Sequence, residues 1–330
     1  MKKIVAILLA ALMLMSVFTG CQKEQENTTQ NTSEETTTGL TQSLEEQEYL
    51  RVLTIGNSHT VDANLMLYDV IRKEMPDQKL LLGNMYFSGC TVSQHVKHFE
   101  GNQPVYVYYK NVGNGWQQTP NTTLEYALQE QAWDIIILHE MNSAASVVSN
   151  YEGDHYQKLI DYVKEKTYYP PKLIWNLSWA NPTSEDVIDF SWAERYRQDH
   201  GALDYVKMFT AMVNLTQEYV TSNKAFAGMI PTGTAFCYAR NQLGLTDADL
   251  YRDSTHLSDT GSFLTAYLWY AVITGKTELT QVNVDKILAQ HRFEKNWGEG
   301  DMIITQELKD MVIESVNFAL KNPWQVTPEK

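Results

Sequence analysis

The chain predicts an α/β fold in which a parallel sheet is covered by helices on both faces. Three observations carry this. From Tyr49 onward, strand-like runs alternate with helix-like stretches, and such alternation returns each strand parallel to the last through a crossover helix. About 280 residues lie beyond a polar N-terminal segment, enough for one large domain with a sizeable core. Beyond Cys21 the remaining cysteines are Cys90 and Cys237, so this is no disulfide scaffold. Whether those two pair is left open by their spacing.

In chain order, Met1–Gly20 reads as an export signal, with Lys2 and Lys3 ahead of an apolar run from Ile4 to Phe18. That run is shorter than the roughly 20 residues of a membrane-spanning helix. Thr19-Gly20-Cys21 is similar to a lipoprotein processing box, which makes Cys21 the residue to be lipidated. From Cys21 to Glu48 the chain is almost wholly Gln, Glu, Asn, Thr and Ser, too polar to bury a core, and predicts a disordered tether. The expectation is an exported protein held to a membrane through its N-terminal lipid alone.

Within Tyr49–Lys330 the strand-like runs are Arg51–Ile55, Lys79–Met85, Asp134–Leu138, Lys172–Leu177 and Ala225–Ile230. Helix-like stretches fall at Asn64–Met75, Thr91–Phe99, Leu124–Ala132, Tyr156–Lys166 and Ala202–Ser222, with closing helices at Gly261–Thr274 and Gln306–Leu320. The net charge is −14, from 40 acidic against 26 basic residues, without a basic run. Nucleic acid is therefore excluded as a partner.

Chemistry concentrates at two places. The first strand runs into Gly56-Asn57-Ser58, which presents Ser58 at a strand-to-helix turn, the loop position where α/β proteins place active-site groups. Almost two hundred residues later, Asp253 and His256 stand three apart in a polar segment ahead of an apolar helix. A serine hydroxyl needs a base to take its proton and a carboxylate to orient that base, and one loop can supply both. Taken singly, Ser58 and Asp253 could equally be helix caps. A metal site is not indicated, since His95 and His98 share a helical face without a clustered third ligand and His139-Glu140 has no second histidine at zincin spacing.

Gly56-Asn57-Ser58 together with Asp253-x-x-His256 resembles the first and last blocks of the SGNH (GDSL-like) hydrolases, with Asn57 where that family has Asp. The resemblance implies a three-layer α/β/α sandwich, flavodoxin-like, with a five-stranded parallel sheet in the order 2-1-3-4-5. It also implies a serine nucleophile at Ser58, a base at His256, an orienting acid at Asp253, and no cofactor. Gly89, in Phe87-Ser88-Gly89-Cys90, matches the second block and takes the role of an oxyanion donor through its N–H. The third block, Gly-x-Asn-Asp, is not matched by His139-Glu140-Met141-Asn142. Met141 falls at the asparagine position, and Asn142 one place later is the candidate third donor, with His139 a further candidate site residue.

Aromatic residues flank these loops, and Trp179 after the fourth strand is the candidate wall for a sugar ring. The expected activity is removal of a small acyl group, acetyl first, from a carbohydrate outside the cytoplasm. A lipase or thioesterase on the same triad, and a non-catalytic glycan-binding lipoprotein, are the alternatives. The anchor is tested first: Cys21→Ala is expected to move the protein from the membrane to the soluble fraction, and wild-type protein found wholly soluble with a free Cys21 thiol would contradict it.

Overall fold

The computed structural model describes residues 49–289 and 300–329, so the expected signal peptide (1–20) and tether (21–48), with Cys21, lie outside the described residues. The chain enters on β1 (Tyr49–Gly56), turns at Asn57 into α1 (Ser58–Asn64) and α2 (Leu67–Glu74), and returns along β2 (Lys79–Tyr86). After α3 (Val92–Glu100) comes a hairpin of β3 (Tyr106–Asn111) and β4 (Trp116–Thr122), then α4 (Leu124–Glu130) and β5 (Ile135–Leu138). The short α5 (Asn142–Ala145) and α6 (His155–Lys166) lead to β6 (Lys172–Asn176), α7 (Phe190–His200), α8 (Tyr205–Leu215) and β7 (Phe226–Ile230). The chain closes through α9 (Thr232–Leu243), α10 (Asp247–Leu250), α11 (Asp259–Ile273), the strand pair β8 (Lys286–Ile287) and β9 (Met302–Ile303), and α12 (Gln306–Lys321).

The sheet is mixed and seven-stranded, in the order β4-β3-β2-β1-β5-β6-β7. Strands β2, β1, β5, β6 and β7 are parallel, while β3 pairs antiparallel with β2 and β4 antiparallel with β3. The expected five-stranded order therefore describes the parallel strands alone. The added edge comes from a segment whose polar Gly/Asn/Gln composition masks its strand character: Tyr106, Tyr108 and Tyr109 are buried, but β4 (Trp116–Thr122) is mostly exposed.

Alternation along the strands divides the core. On β1, Leu50 and Val52 face one layer and Leu53 and Ile55 the other; on β5, Ile135 and Ile137 oppose Ile136 and Leu138. Because both faces are covered, these strands read as continuous apolar runs rather than alternating ones. One layer packs residues of α3, α4 and α6 on the sheet, and the other packs α1, α2, α8, α9, α11 and α12. Helix α11 is buried almost all round, which is why its sequence lacks a polar stripe.

Where expected and observed elements differ, local chemistry decides. The stretch Ala202–Ser222 starts as a helix only at Tyr205, because Asp204 caps it by accepting from the Lys207 N–H, and from Thr216 to Thr221 it widens into a π-helical turn. Cys90 and Cys237 are both buried as free thiols.

Candidate active site

The turn after β1 is built around Asn57. Its backbone is extended, and its side-chain oxygen accepts from the His59 N–H at 3.0 Å, capping α1 and placing Ser58 at the helix's first residue, half-buried. Its amide nitrogen donates to the Cys90 carbonyl at 2.9 Å, tying this turn to the loop after β2. A carboxylate could keep the cap but not the second bond, since it has no hydrogen to give. Gly56 is required for space: a Cβ there would meet His139 Nε2 and Thr60 Cγ2, each at 2.5 Å.

Asp253 and His256 converge as their spacing predicts. Asp253 Oδ1 accepts from the backbone N–H groups of Thr255 (3.0 Å) and His256 (2.9 Å), folding the segment back on itself, and His256 Nδ1 lies 2.9 and 3.0 Å from the two carboxylate oxygens. Burial acts to raise the Asp253 carboxyl, but the hydrogen bonds and charge of His256 outweigh it and hold the group well below the usual carboxylate range. An ionised acceptor at Nδ1 fixes the proton there and leaves Nε2 as the basic nitrogen. The His256 side chain is 25 % exposed, and its ring lies 5.7 Å from that of His59, the residue after Ser58.

Several contacts hold this loop against the rest of the site. Asp62, one turn beyond Ser58 on α1 and fully buried, accepts from Arg252 Nη1 at 2.8 Å and from the Leu257 N–H at 3.0 Å. His59 Nε2 meets Thr255 Oγ1 at 2.8 Å. Ser254 Oγ accepts from the Asp189 N–H and donates to its carboxylate, both at 2.9 Å. Trp179 donates from its indole nitrogen to the Thr255 carbonyl at 3.1 Å. Trp179 is 0 % exposed, its ring packed against His59 and Phe236, so it presents no open face to a sugar and acts as a floor for the loop.

The two loops expected to hold an oxyanion adjoin each other. Gly89 is exposed with φ +62°, a left-handed conformation that suits glycine, and a Cβ on it would lie 3.8 Å from Met141 Sδ. Asn142 begins α5 and is fully buried; Ser178 Oγ donates to its Oδ1 at 2.5 Å, while its Nδ2 has no hydrogen-bond partner. Buried amides are almost always paired, so the Asn142 Nδ2 is free to meet another group beside these loops. His139, packed against Gly56, is buried with neither ring nitrogen bonded, and burial pushes it down to about 3, as burial and the neighbouring histidines lower His59; both rings are neutral near pH 7.

Sequence reading placed Ser58, Asp253, His256, Gly89 and Asn142 but missed Asp62, Arg252, Thr255 and Ser178. Asp62 left one signal, its i+4 spacing from Ser58 on the same helical face. The others act through tertiary contacts that no local pattern announces.

Residues 51–289 match the family described as "Domain of unknown function (DUF4886)", and the chain belongs to that family. Among solved structures it is similar to a DUF4886 family protein from Bacteroides uniformis, at a TM-score of 0.69 and 22% identity, covering 84% of this chain and 97% of that one. That similarity is one of fold. Weaker likenesses are to a protein described as a candidate SGNH hydrolase from Slackia heliotrinireducens (TM-score 0.42, 18% identity, covering 67% of this chain and 97% of that one) and to an α/β hydrolase enzyme from the metagenome of Lake Arreo (TM-score 0.42, 13% identity, covering 68% and 95%). No curated protein matches.

The double bonding of Asn57 gives a direct test. Asn57→Asp, the change toward the SGNH pattern, is expected to leave the buried Cys90 carbonyl without its donor and to lower stability by about 1–3 kcal/mol in chemical denaturation. A neutral effect would mean that the Asn57–Cys90 bond contributes nothing.

Proposed function

We propose that the protein is a serine ester hydrolase that removes a small acyl group, acetyl first, from a carbohydrate outside the cytoplasm. The observation that carries this reading is the Asp253–His256 pair, formed in a loop that Asp62 holds against the helix beginning at Ser58. Ser58 Oγ attacks the ester carbonyl, and His256 takes its proton at Nε2. His256 then returns that proton to the leaving alkoxide, while Asp253 keeps the Nδ1 proton oriented. The second half repeats these roles with water as the nucleophile, releasing the acid and restoring Ser58.

Negative charge growing on the carbonyl oxygen needs fixed donors. The Ser58 and Gly89 N–H groups and the Asn142 amide supply them, and the unpaired Nδ2 supports Asn142 in that role. With Met141 at the asparagine position, Asn142 stands one place later as the first residue of α5, where Ser178 donates to its oxygen, and this supports its amide as the third donor. A small acyl group is favoured because the rings of His59, His139 and Trp179 pack together in the buried layer next to Gly56 and α1, which begins at Ser58. A bulky polar alcohol such as a glycan remains at the open side, where Ser88, Gly89 and the edge of His256 are accessible. Export and lipid anchoring at Cys21 place the site at a membrane surface facing away from the cytoplasm.

With a p-nitrophenyl ester series, acetate is expected to turn over fastest. Ser58→Ala and His256→Ala each remove nearly all activity, and the double variant is hardly worse than either. Asn142→Ala lowers kcat about 100- to 1000-fold with KM little changed, because the bond forms mainly in the transition state. Wild-type turnover by Ser58→Ala contradicts the serine mechanism; a stability loss in Asn142→Ala without a rate defect removes Asn142 from the hole.

A further inference from the structure

Glu140 lies where the Gly89 loop and the Asn142 loop meet, and it is 2 % exposed. Both of its carboxylate oxygens accept from the Val92 N–H at 3.2 Å, at the first residue of α3. Oε1 also accepts from the Met141 N–H at 2.8 Å, and Oε2 from the Tyr156 hydroxyl of α6 at 3.0 Å. One carboxylate thus grips the backbone three residues after Gly89, the backbone immediately before Asn142, and the helix behind both.

We propose that Glu140 is a positioning residue that fixes the separation of the Gly89 N–H from the Asn142 amide. This rests on the ester-hydrolase reading above. Burying a carboxylate is costly, and an apolar side chain would hold a core with less penalty. What the carboxylate offers is two oxygens that gather donors from three segments, which neither an apolar group nor an amide can do. Its charge also favours the N-terminus of α3, whose first N–H it binds.

Burial pushes Glu140 up to about 7, against hydrogen bonds from Met141, Tyr156 and Val92 that favour the ionised form. Titratable groups beside it are Cys90 ahead of α3, Tyr151 and Tyr156 from the α6 side, and His139 next to it in the chain; His95 and His98 on α3 and His155 against Tyr156 lie one contact further out. Burial keeps the thiol and both phenols protonated and the His139 imidazole neutral near pH 7, so Glu140, rather than the groups directly beside it, changes charge there. Its raised value makes the ionised form the less stable one in the folded protein: the contribution to stability is full at acid pH and is lost as pH rises through 7. The grip on Val92 and Met141 runs the other way and is strongest when the group is ionised.

The test compares full-length wild type with Glu140→Gln, Tyr156→Phe and Ser58→Ala, using p-nitrophenyl acetate turnover and amide hydrogen exchange at Val92 and Met141. Glu140→Gln is expected to lower kcat about 10- to 100-fold, the effect of a small misplacement of donors, with KM within about twofold. Tyr156→Phe, which removes one of the three donors, produces a smaller fall in the same direction. In wild type the protection factors of both amides drop between pH 8 and 6, and in Glu140→Gln they do not change with pH. Unchanged kcat in Glu140→Gln beside an inactive Ser58→Ala overturns the positioning role and leaves the hydrolase reading standing. If Glu140→Gln does not fold, a Tyr156→Phe protein with wild-type kcat and exchange overturns the proposal. Undiminished turnover by Ser58→Ala overturns the hydrolase reading and this inference with it.

Discussion

The site depends on a carboxylate buried one helical turn below the serine. Asp62 accepts from Arg252 and from the Leu257 backbone, so α1 and the loop from Tyr251 to Leu257, separated by almost two hundred residues of chain, are held as one unit. Burial raises the Asp62 carboxyl and the Arg252 charge opposes that rise, which makes this pair sensitive to the loss of either partner. Breaking a fully buried pair costs about 3–5 kcal/mol, and Arg252, 29% exposed in its side chain, places this one toward the lower end. The Asp253–His256 contact is local, between residues three apart in one loop. What Asp62, with Thr255 and Trp179, adds is the hold of that loop against α1 and the residues around it.

A second constraint follows from where the polar groups lie. The ends of β1, β2 and β5 gather Asn57, His139, Glu140 and Asn142, all buried, on the border between the two apolar layers. Asn57 and Glu140 are bonded through their side chains, while both His139 ring nitrogens, His59 Nδ1 and the Asn142 amide are among the unpaired buried atoms. A fold pays for unpaired buried polar atoms in stability, and such atoms collect where a binding or catalytic geometry is being maintained. Keeping His59 and His139 neutral also keeps positive charge away from the position where His256 would become an imidazolium.

Much of the architecture was legible because the parallel strands are continuous apolar runs: Arg51–Ile55, Lys79–Met85, Asp134–Leu138, Lys172–Leu177 and Ala225–Ile230 correspond to β1, β2, β5, β6 and β7. The β3–β4 hairpin was not, since its outer strand carries Gln117, Gln118 and Asn121 and is held by pairing to β3 rather than by burial. Helices α7 and α9 were missed because their amphipathic signal is weak: α9 buries Gly233, Thr234 and Asn241 alongside its apolar residues. In the site, spacing pointed to Asp253 with His256, strand position pointed to Ser58, and the resemblance alone pointed to Gly89. Trp179 could be placed beside the site but not oriented, because whether an indole faces solvent or a loop is decided by packing from elsewhere in the chain.

The central claim is that Ser58 is a nucleophile activated by His256. Incubation of the folded protein with a fluorophosphonate ester, followed by peptide mass spectrometry, tests it directly, since such reagents bond to an activated serine and hardly to an ordinary one. The account predicts a single phosphonyl adduct on Ser58 that is lost in His256→Ala. An unlabelled Ser58 in the folded protein, or labelling of another residue in its place, would contradict it.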